Sequence, residues 1–284
     1  MQKTILVPTD FSENAYLAAV FACQLAVEKK YQIHLYHYYT FASANFGDES
    51  ENQDLAHAHV LKADVAIIEI KEKLASAFPS LLINSTCDRG LLQEKLPLIA
   101  NEKGYALIVM GTTGSSEAKN VNYGSNTSAI TAKSPIPVIA IPFQHSDYLV
   151  NKVGLLTNFK AEEIETLIEY ISLVNTIDEL YLIHVYKEVE NASEVKERLE
   201  AWTHNIKEIE GVQQVIPLYD HLSKDVEEFD SVSEVVNQFV DKNDIDFLLV
   251  TKTRKSFFNR IFKPSVSKEI ALDLKVPAFF DKIS

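Results

Sequence analysis

The residues best suited to chemistry in this chain are glycines. Gly111-Thr112-Thr113-Gly114 is followed by nine residues, Ser115 to Tyr123, and then by Gly124-Ser125. Glycine lets a backbone approach a phosphate closely and take positive φ without a Cβ clash. Consecutive N–H groups in such a loop form a concave nest for an anion. A helical pattern starts directly at Ser125, adding free N–H donors and the positive end of its dipole. The carboxylate of Asp10 closes the apolar run Ile5-Leu6-Val7-Pro8-Thr9. It is a candidate magnesium contact through a bound phosphate. A Gly-x-x-Gly after a strand is by itself only a turn. The Gly-Ser at a fixed distance, the helix behind it and the aspartate together point to a polyphosphate site.

Other chemistries find little support. The loop lacks the lysine of a Walker sequence and does not match the Rossmann Gly-x-Gly-x-x-Gly. His57 and His59 stand two apart on a helical stretch and do not share a face, so they read as solvated. There is no zinc spacing, no Gly-x-Ser-x-Gly elbow and no convincing carboxylate pair. Cys23 and Cys87 are the only cysteines, too few for a disulfide framework, and read as reduced thiols of a cytoplasmic protein. The N-terminus enters a short strand at once and shows no signal peptide. No apolar run reaches the roughly 18 residues of a membrane span. The net charge is −13, divided as 11 basic and 14 acidic residues in 1–142 and 16 and 26 in 143–284. Such a chain repels nucleic acid and anionic membrane at long range.

The elements that must position the glycines alternate in type. Thr4–Pro8 reads as a strand. Ser12 then stands where an N-cap belongs, and Ala15, Ala18, Ala19, Ala22, Leu25 and Ala26 form a small-residue helix face. Ile33–Tyr38 reads as a strand and residues 41–54 as a mobile loop near the mouth of the site. Leu55 to about Phe78 reads as a helix, Leu81–Ser85 as a strand, Leu91–Glu102 as a helix ended by Gly104, and Ala106–Met110 as an apolar strand. Ser125–Ala132 and Val138–Ile141 supply a last helix and strand. Near-continuous apolar strands between helices predict an α/β fold, a parallel sheet covered on both faces.

The chain is written twice. Ile5-Leu6-Val7-Pro8-Thr9-Asp10-Phe11 is echoed by Val153-Gly154-Leu155-Leu156-Thr157-Asn158-Phe159, and Leu35-Tyr36-His37 by Leu182-Ile183-His184. Ala106–Met110 is echoed by Asp246–Val250, and Ser134–Ala140 by Leu274–Phe280. Four echoes in order indicate two tandem domains, 1–143 and 148–284, the second with a shorter helix from about Ser193 to Glu210. His37 and His184 fall at equivalent strand positions, which favours a structural role.

The glycine spacing, the opening Ile5–Ser12 and the closing Ser134-Pro135-Ile136-Pro137-Val138 resemble the universal stress protein family. The resemblance covers both halves and implies two Rossmann-like domains of the adenine nucleotide alpha hydrolase kind. Each would be a five-stranded parallel sheet that pairs with another such domain through its last strand, here as an internal pseudo-dimer. It implies that Pro8, Thr9, Asp10 and the backbone at Tyr38 meet the adenosine, where the family often has valine in place of Tyr38. Met110, Gly111, Thr113 and Gly114 would line the ribose and phosphates. Gly124, Ser125, Asn126 and Thr127 would hold phosphate oxygens. The implied function is a stress-response regulator that binds ATP, ADP or AMP, with Mg2+ where phosphate calls for it, and that is read by a protein partner. A slow ATPase or nucleotide-dependent enzyme in the same crevice is the alternative.

The second copy replaces the cradle. Thr251, Arg254 and Pro264 stand over Gly111, Gly114 and Gly124, and Asn158 stands over Asp10. Side-chain bulk and the loss of a donor at proline oppose phosphate binding. Its loop from Lys252 to Lys263, with Phe257, Phe258 and Phe262, reads as a solvated basic loop or as a docking surface. Calorimetric titration with ATP is therefore expected to give one site per chain; a stoichiometry of two would show that the second copy still binds.

Overall fold

The computed structural model describes residues 2–40, 49–112, 125–143, 150–187, 190–222, 224–225, 228–229, 232–251 and 275–281. These fall into two compact units, one formed by the described residues up to Phe143 and the other by those from Val150 onward. The Lys252 to Lys263 loop, with its basic residues and phenylalanines, lies outside the described residues, as do Arg254 and Pro264.

The first unit runs β1 (Thr4–Pro8), α1 (Glu13–Lys29), β2 (Gln32–Tyr39), α2 (Glu49–Ala77), β3 (Ile83–Arg89), α3 (Leu92–Glu102), β4 (Leu107–Gly111), α4 (Ser125–Lys133) and β5 (Val138–Ile141). All strand pairs are parallel, in the order β3-β2-β1-β4-β5. The order reverses between β1 and β4, which makes that gap the switch point where ligands sit in open α/β sheets. Right-handed crossovers place α1 and α2 on one face and α3 and α4 on the other. The packing agrees: α1 lies on β1 and β4 and touches α2, while α3 packs on α4.

Consecutive residues Ile5, Leu6 and Val7 are wholly buried, as are Leu107, Ile108 and Val109. Only a sheet covered on both faces buries neighbouring strand residues in this way. Helix α1 starts with Ser12 as N-cap, its hydroxyl accepting from the Ala15 amide at 3.2 Å. Its alanines 15, 18, 19, 22 and 26 are all buried, so the backbone of α1 can lie close over the two central strands. Cys23 joins this core, and burial pushes its thiol up to about 12.

The second unit repeats the design. It runs β6 (Lys152–Leu156), α5 (Ala161–Val174), β7 (Ile177–Lys187), α6 (Ala192–Lys207), β8 (Val212–Leu222), the two-residue strands β9 (Lys224–Asp225) and β10 (Glu228–Phe229), α7 (Val232–Asn243), β11 (Phe247–Val250) and β12 (Ala278–Phe280). The main sheet is parallel, ordered β12-β11-β6-β7-β8; β9 and β10 pair antiparallel with each other. The ladders keep the register of the sequence repeat. Ile5 faces Leu107 as Val153 faces Phe247, and Ile108 faces Val138 as Leu248 faces Ala278.

Three boundaries differ from the sequence reading. Helix α2 begins at Glu49, so residues 49–54, expected as loop, are helical; 41–48 lie outside the described residues. Strand β3 runs Ile83–Arg89 rather than Leu81–Ser85, because the Leu81 amide turns back onto the Phe78 carbonyl and the pairing with β2 continues from Ile83 to Arg89. Its polar end, Thr86 to Arg89, is tolerated because an edge strand can keep one face in solvent. Helix α6 spans Ala192–Lys207, stopping short of Glu210. Among the described residues, no helix is long and apolar enough to cross a membrane.

The close seating of α1 has a measurable consequence. Ala22→Leu forces extra methylenes between α1 and the sheet and is expected to lower unfolding stability by about 1–3 kcal/mol, read as a shifted urea midpoint at unchanged slope.

Candidate functional site

The site is built from the carboxyl ends of three adjacent strands. At the end of β1, the Thr9 amide still donates to the Tyr36 carbonyl of β2 at 2.9 Å. The chain then turns sharply, with Phe11 at φ +66°, a left-handed conformation that is uncommon for a residue of this bulk. Three contacts hold it. The Phe11 amide donates to Thr9 Oγ1 at 3.1 Å, the Ser12 amide to Asp10 Oδ1 at 3.1 Å, and His37 Nδ1–H to the Thr9 carbonyl at 2.8 Å. The imidazole also lies against the Phe11 ring, centroids 4.3 Å apart. Pro8 and Thr9 are buried and Asp10 is exposed, so the aspartate faces the mouth of the crevice.

On the other side of the switch point, β4 ends in buried Met110 and in Gly111. A Cβ on Gly111 would collide with Oδ1 and Cγ of Asn14, from the first turn of α1. Asn14 is itself buried and donates through Nδ2 to the Ile141 carbonyl of β5 at 3.1 Å. Helix α4 opens at Ser125 and is pinned to β4 by Thr127, whose hydroxyl donates to the Gly111 carbonyl at 2.8 Å. Thr127 therefore uses its side chain for positioning, and what this turn offers a ligand is backbone. Asn126 is exposed and accepts from Gln93 Nε2 of α3 at 3.0 Å. The next residue after Gly111 is unusual. Thr112 is almost wholly buried and its amide is tied to the Ile141 carbonyl, yet its hydroxyl has no partner among the described residues. A buried hydroxyl without a partner costs about 1–3 kcal/mol, so this one marks a place where an acceptor belongs.

Tyr38 stands near the end of β2, the other neighbour of β1. Its ring stacks on Tyr36, centroids 4.8 Å apart and 29° between planes. Burial, with the adjacent Tyr36 and Asp88, drives its hydroxyl far above the ordinary range. The ring is thus held along the sheet by its neighbour. Of the residues singled out in sequence, Pro8, Thr9, Asp10, Tyr38, Met110, Gly111, Asn126 and Thr127 come together around the switch point. Thr113, Gly114 and Gly124 lie outside the described residues, and of Ser125 only its place at the start of α4 is described.

The second unit keeps the turn and fills the crevice. Phe159 takes φ +60°, its amide donates to Thr157 Oγ1 at 3.0 Å, and His184 Nδ1–H donates to the Thr157 carbonyl at 2.8 Å. His184 is buried, and burial, the largest cause, lowers its pKa. The recurrence of this bond in both units gives the two histidines the structural role expected of them. The difference lies in helix α5. Glu163, at the position of Ala15, accepts from Thr157 Oγ1 at 2.5 Å and from the Asn158 amide at 2.7 Å. Burial raises the Glu163 pKa above the usual carboxylate range, and the hydrogen bonds from Thr157 and Asn158 offset part of that rise. Deeper in, Thr251, at the position of Gly111, donates to Thr166, which is 3.0 Å from Asp281 Oδ2. These three and Glu163 are buried. Where the first unit has Ala15, Ala18, Gly111 and Ile141, the second has Glu163, Thr166, Thr251 and Asp281.

Four functional positions escaped the sequence reading. Asn14 and Gln93 looked like ordinary helix polar residues, and nothing in their spacing marks them. Thr112 was read as a spacer between glycines, and its orphaned hydroxyl is visible only once burial is known. Glu163 had a signal: aligning the repeats puts a carboxylate over an alanine of the small-residue face.

Residues 1–142 match the model of a family described as the universal stress protein family. A curated universal stress protein of Methanocaldococcus jannaschii is 26% identical over 161 residues, covering 51% of this chain and 98% of that protein. Among solved structures, a universal stress protein from Archaeoglobus fulgidus DSM 4304 aligns over 98% of this chain and 96% of its own, with a TM-score of 0.68 at 16% identity. A chain from Pseudomonas aeruginosa UCBPP-PA14, described as a putative universal stress protein, aligns over 98% and 92%, with a TM-score of 0.57 at 12% identity. At these identities the two structures establish the fold alone.

Glu163 provides the sharpest test of the filled crevice. Glu163→Ala strands a buried amide and hydroxyl and is expected to cost about 2–4 kcal/mol. Glu163→Gln keeps both contacts, reversing the bond to Thr157, and is expected to cost far less. The folded pKa of Glu163 is raised, so the native state binds the proton more tightly than the unfolded state. Wild-type stability relative to Glu163→Gln is then greatest in acid and falls as pH rises from the unfolded carboxylate pKa through the higher folded one. Urea denaturation of both variants at several pH values checks this; a difference independent of pH would contradict it.

Proposed function

Because the chain belongs to the universal stress protein family, we propose that its first domain, residues 1–143, binds one adenine nucleotide and that the second, 148–284, does not. In this reading the loaded and empty forms present different surfaces to a protein partner in a stress response. Two unpaired cysteines, one of them buried, suit a reducing compartment, and the proposal places the chain in the cytoplasm.

The observation that carries the proposal is the contrast between the two corners. In the first unit the crevice is flanked by Gly111, which has no Cβ, and by the Thr112 hydroxyl, which has no partner among the described residues. In the second, Thr251 stands at the position of Gly111 and donates to Thr166, and Glu163 stands at the position of Ala15 and accepts from Thr157 and Asn158. A carboxylate on a backbone amide and a threonine hydroxyl is chemically what a phosphate or ribose oxygen would be in the first unit. The residues present fit such a ligand. Pro8, Thr9, Asp10 and the backbone at Tyr38 would border the adenosine. Met110, Gly111, Thr112, Thr113 and Gly114 would line the ribose and phosphates. Gly124 and the amides of Ser125, Asn126 and Thr127 would receive phosphate oxygens at a helix N-terminus. ATP, ADP or AMP all meet this description, and a polyphosphate would bring Mg2+ within reach of Asp10.

Thr112→Val separates this reading from a purely structural one. The substitution preserves shape and removes only a hydroxyl without a partner among the described residues, so stability in the absence of ligand is expected to hold or rise slightly. Affinity for ATP is expected to fall about three- to tenfold, measured by calorimetry. Unchanged affinity together with unchanged stability would remove Thr112 from the site, and failure of the wild type to bind any adenine nucleotide would end the proposal.

A further inference from the structure

Helices α3 and α4 start from the carboxyl ends of β3 and β4, and a side-chain hydrogen bond joins their first turns. Gln93 Nε2 donates to Asn126 Oδ1 at 3.0 Å. Each helix has its own buried anchors, Leu96 and Ala100 on α3 and Ile130 on α4. The bond itself is exposed, and an exposed bond between neutral amides adds little to stability. Helix α3 starts at Leu91 without a side-chain cap, and Gln93 reaches across to α4 instead.

The bond sets how Asn126 faces. Thr127 turns inward, its hydroxyl on the Gly111 carbonyl. One residue back, about 100° around the helix, Asn126 turns to α3. Side chains on a helix lean toward its N-terminus, so Asn126 leans over the end of α4 where the free amides lie. Its amide oxygen is taken up by Gln93, which leaves its NH2 turned away from α3. With the amide turned over, an oxygen would stand in that place and oppose an anion. The sequence repeat bears on the same pair. Ser233 stands over Gln93 and Val266 over Asn126, in the register that sets Val236 over Leu96 and Val240 over Ala100, all four of them buried. Serine is too short to make the bond and valine has no polar atom for it. Both partners are missing from the copy whose glycines are replaced.

We propose that Gln93 is a positioning residue of the nucleotide site: it holds the Asn126 amide with its NH2 toward the phosphates, so that Asn126 adds a side-chain donor to the backbone amides of α4. This role rests on the adenine-nucleotide reading of the crevice, and it makes the pair a determinant of phosphate over bare nucleoside. Gln93 touches no ligand itself and acts through Asn126. The pair therefore contributes to binding of the charged end and nothing to adenosine.

Calorimetry of the full chain with ATP and with adenosine tests the pair. Gln93→Leu and Asn126→Ala are each expected to weaken ATP binding about three- to tenfold and to leave adenosine binding and the urea midpoint unchanged. Gln93→Leu is expected to cost nothing further once Asn126 is replaced by alanine. Gln93→Glu can only accept, so it turns the Asn126 amide over, and its loss for ATP is expected to exceed that of Gln93→Leu; in the Asn126→Ala background this excess is expected to shrink. The double-mutant cycle reads ATP alone, so it decides the matter even where adenosine binds too weakly to measure. A wild type that binds ATP while Gln93→Leu leaves that affinity unchanged, weakens ATP and adenosine alike, or adds its full loss to that of Asn126→Ala would overturn the role of Gln93 and leave the site standing. A wild type that binds no adenine nucleotide would overturn the site and this role with it.

Discussion

Each unit hangs on one carbonyl oxygen. At the end of its first strand the chain must leave the sheet, bend through a left-handed phenylalanine and enter a helix within a few residues. The last carbonyl before that bend, Thr9 or Thr157, points away from any strand partner and takes its hydrogen from an imidazole on the neighbouring strand, His37 or His184. The phenylalanine that makes the bend, Phe11 or Phe159, covers the same imidazole. One interaction thus closes the strand, fixes the histidine tautomer with its proton on Nδ1, and sets the direction of α1 or α5. Without it the helix would not reach across to the fourth strand, and the switch point would have no wall.

On that shared frame the two units take opposite routes to satisfying the same polar corner. A crevice at the end of parallel strands always exposes amides and hydroxyls, and these need acceptors. In the second unit the acceptor is internal: Glu163 reaches from α5 to Thr157 and Asn158, while Thr251, Thr166 and Asp281 link deeper in. In the first unit the same turn of helix carries alanines, and Asn14 rather than a carboxylate closes onto β5. A glycine at position 111 is then a requirement of packing as much as of ligand approach, since Asn14 already occupies the space its side chain would take. The second unit thus supplies acceptors for the Thr157 hydroxyl and the Asn158 amide from its own helix. In the first unit the Thr112 hydroxyl has no partner among the described residues.

Much of this was legible in the residues. The strands Thr4–Pro8 and Val138–Ile141, the Ser12 cap, the alanine face and the duplication follow from apolar runs, side-chain size and spacing, which act locally and leave a direct trace. The polar end of β3 was missed because Thr86 to Arg89 are strand only by virtue of their pairing with β2, a long-range fact that no local preference encodes. The first turns of α2 were missed because Asp48–Asp54 offers no apolar face to signal a helix. At the site, glycine spacing located the cradle, but Thr112 and Asn14 acquired their meaning from burial alone. Thr127 was assigned to phosphate by position, while its hydroxyl turned out to anchor α4 to β4, because a side chain in a first helical turn can face inward or outward with the same sequence.

The two halves also differ in charge. The first half carries a balance of −3 and the second −10. At low ionic strength a phosphate approaching the second unit would meet the stronger repulsion, ahead of a corner holding the buried Glu163 side chain. In the first unit the wider field is weak at physiological ionic strength, where charges beyond about 8 Å are largely screened. Local geometry then decides: a helix N-terminus, amides beside Gly111 and one exposed aspartate. A single carboxylate at the rim does not repel a phosphate that arrives with a cation, and it favours the ion-paired form over the bare anion. In the second unit the side chain of Thr251 adds bulk where the first has Gly111, and Glu163 satisfies the Thr157 hydroxyl and the Asn158 amide, donors that bulk alone would leave buried and unpaired.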